Sequence, residues 1–436
     1  MSQTGQVARL FPIDGGRAGD EPTRASREGG EPGRGGLSRR RFAQLFGAGV
    51  AAVSGVGSVR AASALQAATA PAVSPASPAS PATGPRPVAL RAVPAAGVPR
   101  GARGAVRLSS NENPYGPSPA AFDAMREAFG LAWRYPDEHA EALAQDLARL
   151  HGVDPEQVLL GAGSSEILNL AAVAFTGPGR PAVAAEPTFE SVPRHAQRHG
   201  AETVAVPLTA DFRHDLPRML GAAADPGLIY VCNPNNPTAT ITPKQDVRAL
   251  LGKVPERTMV LVDEAYFHFV EQADYESVVP LVAAHPNLVV TRTFSKIYGM
   301  AGLRCGYAVA QRAVIARLRE HAAYDSVNVL ALAAARASLH DAEQVERSRR
   351  LNREVRAALC AELDRLGFGY LPSAANFMMI DLRQPVAPVI QALRQRNVEV
   401  GREFPALPRH LRVTIGTAEQ IQAFVAAFGQ AVAGRG

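Results

Sequence analysis

The sequence predicts an α/β fold: a large domain built on a mostly parallel central sheet, with a smaller α+β domain following it. Three observations carry that prediction. From Gly161 onward, short apolar runs ending in polar loops alternate with amphipathic segments, as in strands buried on both faces and separated by helices. After about residue 335 the pattern changes to one long charged helical stretch and then two short apolar segments. The chain of 436 residues, 47% hydrophobic and 20% charged, is long enough for two or three domains with full cores. Its three cysteines, Cys232, Cys305 and Cys360, are too few and too scattered for a disulfide framework or a tetrahedral zinc site, so no metal is expected.

Taken in order, residues 1–104 do not have the pattern of a globular domain. They are rich in Gly, Arg, Ala and Pro, and the stretch 70–99 repeats small residues with prolines, which favours extended, solvated backbone. Within this leader, S-R-R-R-F-A-Q at 38–44 runs into a weakly apolar stretch at 42–59, and Ala62, Ser63 and Ala64 offer a small-residue cleavage site. The paired arginines resemble the twin-arginine export motif S-R-R-x-F-L-K, matched at Ser38, Arg39, Arg40 and Phe42, with Ala43 and Gln44 departing from it. The expected organisation is a twin-arginine signal region at 1–64, a Pro/Ala-rich linker at 65–104, and an N-terminal arm with part of the small domain at 105–157. The large domain follows at 158–335 and the C-terminal small domain at 336–436. This implies a periplasmic or otherwise exported protein with the twin-arginine machinery as a partner; the alternative is a cytoplasmic one. The apolar stretch is too short and glycine-rich for a stable membrane span, and no other run reaches 18 apolar residues.

The leader also accounts for the charge. The whole chain carries +6, but residues 1–104 hold 13 arginines against 5 acidic residues, a net of +8, which leaves −2 for the remainder. A nucleic-acid partner loses its main support.

Expected strands are 158–160, 228–232, 259–262 and 288–291. Expected helices include 141–150, with Leu143, Leu147 and Leu150 on one stripe, and 165–175. The long charged helix is expected at 342–366, and the two apolar segments of the smaller domain at 377–382 and 411–415.

Chemistry gathers at the ends of the strands. In open α/β sheets ligands bind outside the carboxyl ends, and here those ends are Gly161-Ala-Gly-Ser-Ser165, Asn233-Pro-Asn-Asn-Pro-Thr238, Asp263-Glu-Ala-Tyr266 and Thr293-Phe-Ser-Lys296. Gly163, Ser164 and Ser165 precede a helix, whose free N–H groups make an anion cradle, although the same residue types also serve as plain caps. The G-x-G-x-x-G spacing of a dinucleotide site is absent. Thr293, Ser295 and Arg304 could complete a phosphate pocket, with Arg304 as a charged fork.

Asp263 ends an apolar strand, where a carboxylate needs a partner such as a helix N-cap or an arginine. Its functional reading is to hold a ring nitrogen protonated: at about 4 Å and an effective dielectric near 20, the pairing supplies ~4 kcal/mol, about three pKa units. Lysine is scarce: Lys244, Lys253 and Lys296 are the only three among 46 cationic residues. An ammonium, unlike a guanidinium, can lose its proton and attack a carbonyl. Lys296 lies in a Thr/Ser-flanked loop with Arg304 behind it, a setting that disfavours the charged form and suits a Schiff-base nucleophile.

In combination these residues resemble the fold type I, pyridoxal-phosphate-dependent aminotransferases of class I/II, of the histidinol-phosphate aminotransferase type. The resemblance runs from about residue 105 to the C-terminus. Eight motifs carry it in family order: L-S-S-N-E-N-P-Y-G-P-S-P (108–119), R-Y-P-D (134–137), G-A-G-S-S-E (161–166), P-T-F (187–189), N-P-N-N-P-T (233–238), D-E-A-Y (263–266), T-F-S-K-x-x-G-M-A-G-L-R (293–304) and L-R-V-T-I-G-T (411–417).

The resemblance implies pyridoxal 5'-phosphate as cofactor and ping-pong transfer of an amino group between an amino acid or amine and a 2-oxo acid. It implies that Lys296 forms the internal aldimine and shuttles the proton between Cα and C4′. Asp263 would pair with the pyridinium nitrogen, Tyr266 and Asn236 would hydrogen-bond the ring hydroxyl, and Phe189 would stack on the ring. Ser164, Ser165, Thr293, Ser295 and Arg304 would hold the phosphate, joined by Tyr135 from a neighbouring subunit, which implies a homodimer. Arg412 would fork the substrate α-carboxylate, with Asn113 and Tyr115 on the substrate side.

Three positions depart from the family's habits or are ambiguous. Ala239 stands where the family usually has Gly, and Phe189 where it often has Tyr. Arg402 lies near the place of a substrate-phosphate arginine, and a surface role fits it equally well. The export leader argues against a phosphorylated biosynthetic intermediate and points to an amino acid or amine, aromatic or cationic. The competing expectations are another reaction on the same fold, such as decarboxylation, racemisation or β-elimination, and a non-catalytic sensor, which would need a DNA-binding module that the leader lacks.

Overall fold

Seven strands make the central sheet of the computed structural model, which describes residues 104–433. The twin-arginine motif, the cleavage site and nearly all of the linker lie outside the described residues. The strands, in chain order, are β1 (Val106–Leu108), β2 (Val158–Gly161), β3 (Ala182–Glu186), β4 (Thr203–Pro207), β5 (Leu228–Cys232), β6 (Met259–Asp263), β7 (Leu288–Thr293), β8 (Gly306–Ala310), β9 (Gly369–Tyr370), β10 (Phe377–Asp381), β11 (Val398–Val400) and β12 (His410–Thr414).

The central order is β2-β8-β7-β6-β5-β3-β4. The pairs among β7, β6, β5, β3 and β4 are parallel, while β8 is antiparallel to both of its neighbours. The reversal has a local cause: no helix lies between β7 and β8, and a parallel return normally needs a helical crossover. From β3 the chain steps outward to β4 and then returns to β5 on β3's other side. The loops leaving β3 and β5 therefore diverge, which opens a crevice at a topological switch point.

The strands are apolar on both faces because both faces are covered. Val183, Val231, Val262 and Val290 belong to one core with Leu143 and Leu147 of helix Asp137–His151 and Leu250 of helix Lys244–Leu251. Ala184, Tyr230, Leu261 and Val289 belong to another with Ile167 and Leu168 of helix Ser164–Phe175 and Ile315 of helix Arg312–Arg319.

A separate core surrounds the sheet β12-β10-β9 and the parallel pair β1-β11, and it includes Leu359, Leu363, Phe424 and Phe428. The first strand thus joins the C-terminal region through Val106 opposite Val398. The charged helix spans Ala342–Arg365, capped by Asp341, whose side chain accepts from the Gln344 N–H. Its buried face starts polar, with Gln344, Ser348 and Asn352, and becomes apolar at Val355, Leu359 and Leu363. The polar part abuts backbone near the site: Gln344 donates to the Tyr298 carbonyl at 3.1 Å and Asn352 to that of Ala375 at 3.3 Å. Among the described residues no helix is long and apolar enough to cross a membrane.

Candidate active site

Strand register brings the polar ends together. Cys232 is opposite Asp263, Asp263 opposite Thr291, and Gly306 opposite both Thr293 and Gly161. The ends of β2, β5, β6 and β7 therefore form one rim, over which lies a cavity of about 600 Å³. It is lined by Ser164, Ser165, Phe189, Asn236, Asp263, Tyr266, Thr293, Ser295, Lys296, Arg304 and Arg412, all of them expected from the sequence.

At one end is a cradle for an anion. Gly163 caps the helix Ser164–Phe175 with φ +82°, and a Cβ there would fall 2.2 Å from Arg304 Nη2. Gly306 is equally constrained, since a Cβ would lie 2.4 Å from the Ser164 nitrogen. These glycines let the helix N-terminus, with its unpaired N–H groups and partial positive charge, approach β8 and the arginine. Arg304 is held by the carbonyls of Ala301 (3.0 Å) and Ala162 (3.3 Å) and donates to Ser295 Oγ at 3.2 Å. Its own φ of +61° is a strained backbone for a non-glycine residue, of a kind that gathers at functional sites.

In the middle lie Asp263, Tyr266 and Lys296. Asp263 is 2% exposed, and its partner is neither a helix cap nor an arginine: the Tyr230 hydroxyl donates to Oδ2 at 3.0 Å and the Ala265 N–H to Oδ1 at 3.2 Å. Burial raises its pKa to about 6 despite these bonds. Lys296 donates to the carbonyls of Asn111 (3.1 Å) and Ser110 (3.4 Å), and burial, then the charge of Arg412, lowers its pKa to about 8. Arg304, which the sequence suggested as the depressing charge, contributes less than Arg412. The Tyr266 hydroxyl accepts from Asn111 Nδ2 at 3.2 Å, and burial pushes its pKa up.

At the other end Arg412, on β12, donates through Nη1 to Asn236 Oδ1 (2.7 Å) and through Nη2 to the Ser109 carbonyl (2.8 Å). Its Nε is buried without a partner, and burial lowers its pKa. A buried guanidinium with an unused donor is suited to an incoming anion.

Three expected residues lie elsewhere. Asn113 turns away from the cavity and donates to the Ile297 carbonyl (2.8 Å) and Ser348 Oγ (3.1 Å). Tyr115 lines a separate small crevice with Phe269, Ser348 and Asn376. Tyr135 is 81% exposed and does not line the cavity of its own chain. The residues of that first motif that do reach the site are Ser110, Asn111 and Glu112, of which Asn111 is buried, with φ 55°. Its backbone holds Lys296, and its side chain holds Tyr266. Asn tolerates left-handed backbone better than most residues, but the register of an irregular segment has no periodicity to reveal it. Tyr230 was hidden as one apolar residue of a buried strand, and Arg194, His195 and Arg198 as the polar face of a helix.

The protein defined by this fold and site is one built to hold an anionic, aromatic aldehyde cofactor. An anion cradle, a buried carboxylate, a lysine with lowered pKa and a second cationic anchor line one cavity. Pyridoxal 5'-phosphate fits that set. The chain belongs to the aminotransferase class I and II family, which matches residues 103–428. A histidinol-phosphate aminotransferase of Symbiobacterium thermophilum is 46% identical over 330 residues, covering 75% of this chain and 90% of that protein. Histidinol-phosphate aminotransferase 1 of Nitrosococcus oceani is 40% identical, covering 74% and 88%. The crystal structure of the histidinol-phosphate aminotransferase of Sinorhizobium meliloti in complex with pyridoxal-5'-phosphate superposes with a TM-score of 0.72 at 27% identity, covering 76% of this chain and 92% of that one. The protein is a pyridoxal-phosphate-dependent aminotransferase.

Proposed function

We propose that this aminotransferase is exported by the twin-arginine route, works as a homodimer, and takes its amino group from an amino acid or amine rather than from a phosphorylated biosynthetic intermediate. The observation behind the site assignment is that Lys296, alone among the three lysines, lines the cavity that Asp263, Arg304 and Arg412 also line.

When bound, the cofactor supplies an electron-withdrawing ring that makes the α-hydrogen of an amino donor acidic. The chain's own residues do the rest. Ser164, Ser165, Thr293, Ser295 and Arg304 would anchor the phosphate. Asp263 would keep a ring nitrogen protonated, Tyr266 and Asn236 would hold the ring oxygen, and Phe189 would pack against the ring. Arg412 orients the donor's carboxylate. Lys296 moves the proton at the substrate Cα; with its pKa near 8, about a tenth is in the basic amine form at pH 7.

The relatives are named for histidinol phosphate. The leader with Ser38, Arg39, Arg40 and Phe42 favours a substrate met outside the cytoplasm. The dimer is supported by Phe129, Trp133 and Tyr135, which lie 52%, 80% and 81% exposed close together in sequence.

The test is a spectroscopic cycle on the holoenzyme: an amino donor bleaches the visible cofactor band and a 2-oxo acid restores it. A decarboxylase, racemase or lyase would not complete that cycle, and a sensor would not enter it. Lys296→Ala removes the band; a retained band overturns the assignment. Export is checked by fractionating cells that carry the full chain, with Arg39→Lys/Arg40→Lys retaining the protein inside.

A further inference from the structure

We propose that Glu190 is a specificity-determining residue: its carboxylate occupies a distal anion position of the substrate cavity and biases the enzyme toward donors with neutral rather than anionic side chains. The inference rests on reading the cavity as the aminotransferase substrate site.

The cavity has two guanidinium positions on the substrate side. Arg412 is the inner one, and its Nε has no partner. Arg402 is the outer one, and the ring of Phe404 lies between them, its centroid 5.2 Å from Arg412 Cζ and 4.4 Å from Arg402 Cζ. A donor held by its carboxylate on Arg412 would extend its side chain past this ring toward Arg402.

The outer position is already taken. Glu190 Oε1 accepts from Arg402 Nη2, and Glu190 Oε2 accepts from Arg194 Nη2 at 2.7 Å. Arg402 also donates through Nη1 to the Glu403 carbonyl at 2.9 Å. Glu190 immediately precedes the helix Ser191–Arg198, whose Arg194, His195 and Arg198 line the same wall. One carboxylate thus answers a wall of three arginines and a histidine, two of the arginines directly.

The side chains of Arg402, Glu190 and Arg194 are 52%, 45% and 60% exposed. Ion pairs that open to solvent are weak and exchangeable, so an anionic side chain can displace Glu190 only by competing with it. While the carboxylate stands, it repels a second anion and spares neutral groups. Removing its charge leaves Arg402 and Arg194 as an open fork for a carboxylate or phosphate.

The experiment compares two carboxylate probes on the holoenzyme, glutarate with a distal charge and 3-phenylpropionate with a neutral tail, by titrating the visible cofactor band. In Glu190→Gln, glutarate binds about tenfold tighter while 3-phenylpropionate changes less than about twofold, and Glu190→Asp keeps the wild-type ratio. The ratio of kcat/KM for glutamate over phenylalanine rises by a similar factor, mainly through KM. An unchanged ratio in Glu190→Gln, or equal shifts for both probes, overturns the proposal. A wild-type holoenzyme whose band responds to neither probe nor any donor overturns the site reading itself, an outcome visible before any variant is made.

Discussion

Asp263 and Lys296 are costly in the cofactor-free protein, and their signs can be worked out. Asp263 has its pKa raised to about 6 from an ordinary value near 4, so between those pH values the folded state holds more protons than the unfolded one. Stability falls as pH rises through that window, and above pH 6 the full penalty of two units, about 3 kcal/mol, is in place. Lys296 has its pKa lowered to about 8, so its penalty is present below that pH and stability recovers as pH rises toward the ordinary lysine value. The cofactor-free protein is therefore least stabilised by these two groups between about pH 6 and 8. Asp263→Asn should raise its melting midpoint at pH 7 but not near pH 4, and should weaken cofactor binding. Midpoints measured across pH without cofactor check this, and an equal rise at both pH values would contradict it. The Tyr230 hydroxyl is part of the same balance, because its bond favours the charged carboxylate.

At the scale of elements, cap chemistry decides how well boundaries can be read. Ser118 with Pro119 opens one helix, Asn328 another and Asp341 the long charged one, each side chain accepting a backbone N–H. The helix expected at 141–150 begins earlier, at Asp137, because its N-cap is Pro136, which has no side-chain acceptor to announce it. Its end at Gly152, with φ 66°, follows the usual glycine stop. The turn after β5 is less ordinary. Ala239, where the family usually has Gly, is fully buried at φ 62°, its N–H donating to the Asn235 carbonyl and its carbonyl accepting from Ala374, both at 2.8 Å. Left-handed backbone costs an alanine about 1–2 kcal/mol. Glycine would recover that but lose about 0.8 kcal/mol of methyl burial and add unfolded-state entropy. Ala239→Gly should therefore shift stability by less than about 1 kcal/mol, whereas Ala239→Val, overpacked and β-branched, should cost more than about 2 kcal/mol by denaturant titration.

For the whole molecule, the net charge of +6 divides into +8 for residues 1–104 and −2 for the remainder, so the basic total is carried by the N-terminal residues rather than by the part of the chain that holds the site. The cavity of a single chain lacks Tyr135, and that residue stands exposed beside Trp133. If two copies complete each other's phosphate cradles, Trp133→Ser/Tyr135→Ala should produce a monomer in sedimentation and weaken cofactor affinity about tenfold or more. A fully active wild-type monomer would remove the basis for that expectation. Cys232 and Cys305 are buried free thiols, with burial pushing Cys305 up to about 12, so neither is set up as a nucleophile.

The amino-acid sequence by itself determined the α/β class, half of the strands, three of the helices including the longest, and the four strand ends that make the site. These features are local, carried by apolar runs, caps and short polar motifs that need no knowledge of distant partners. It also marked Lys296 through the scarcity of lysine. Only the tertiary structure decided that Asn111 rather than Asn113 faces Lys296, that Tyr230 is the partner of Asp263, that β8 runs against its neighbours, and that Glu190 closes over Arg402. Each of these is a pairing across 185 residues or more, or between strands such as β5 and β6, or depends on the register of an irregular segment. Such contacts are set by how the packed layers bring side chains together, and that is written in no single stretch of the chain.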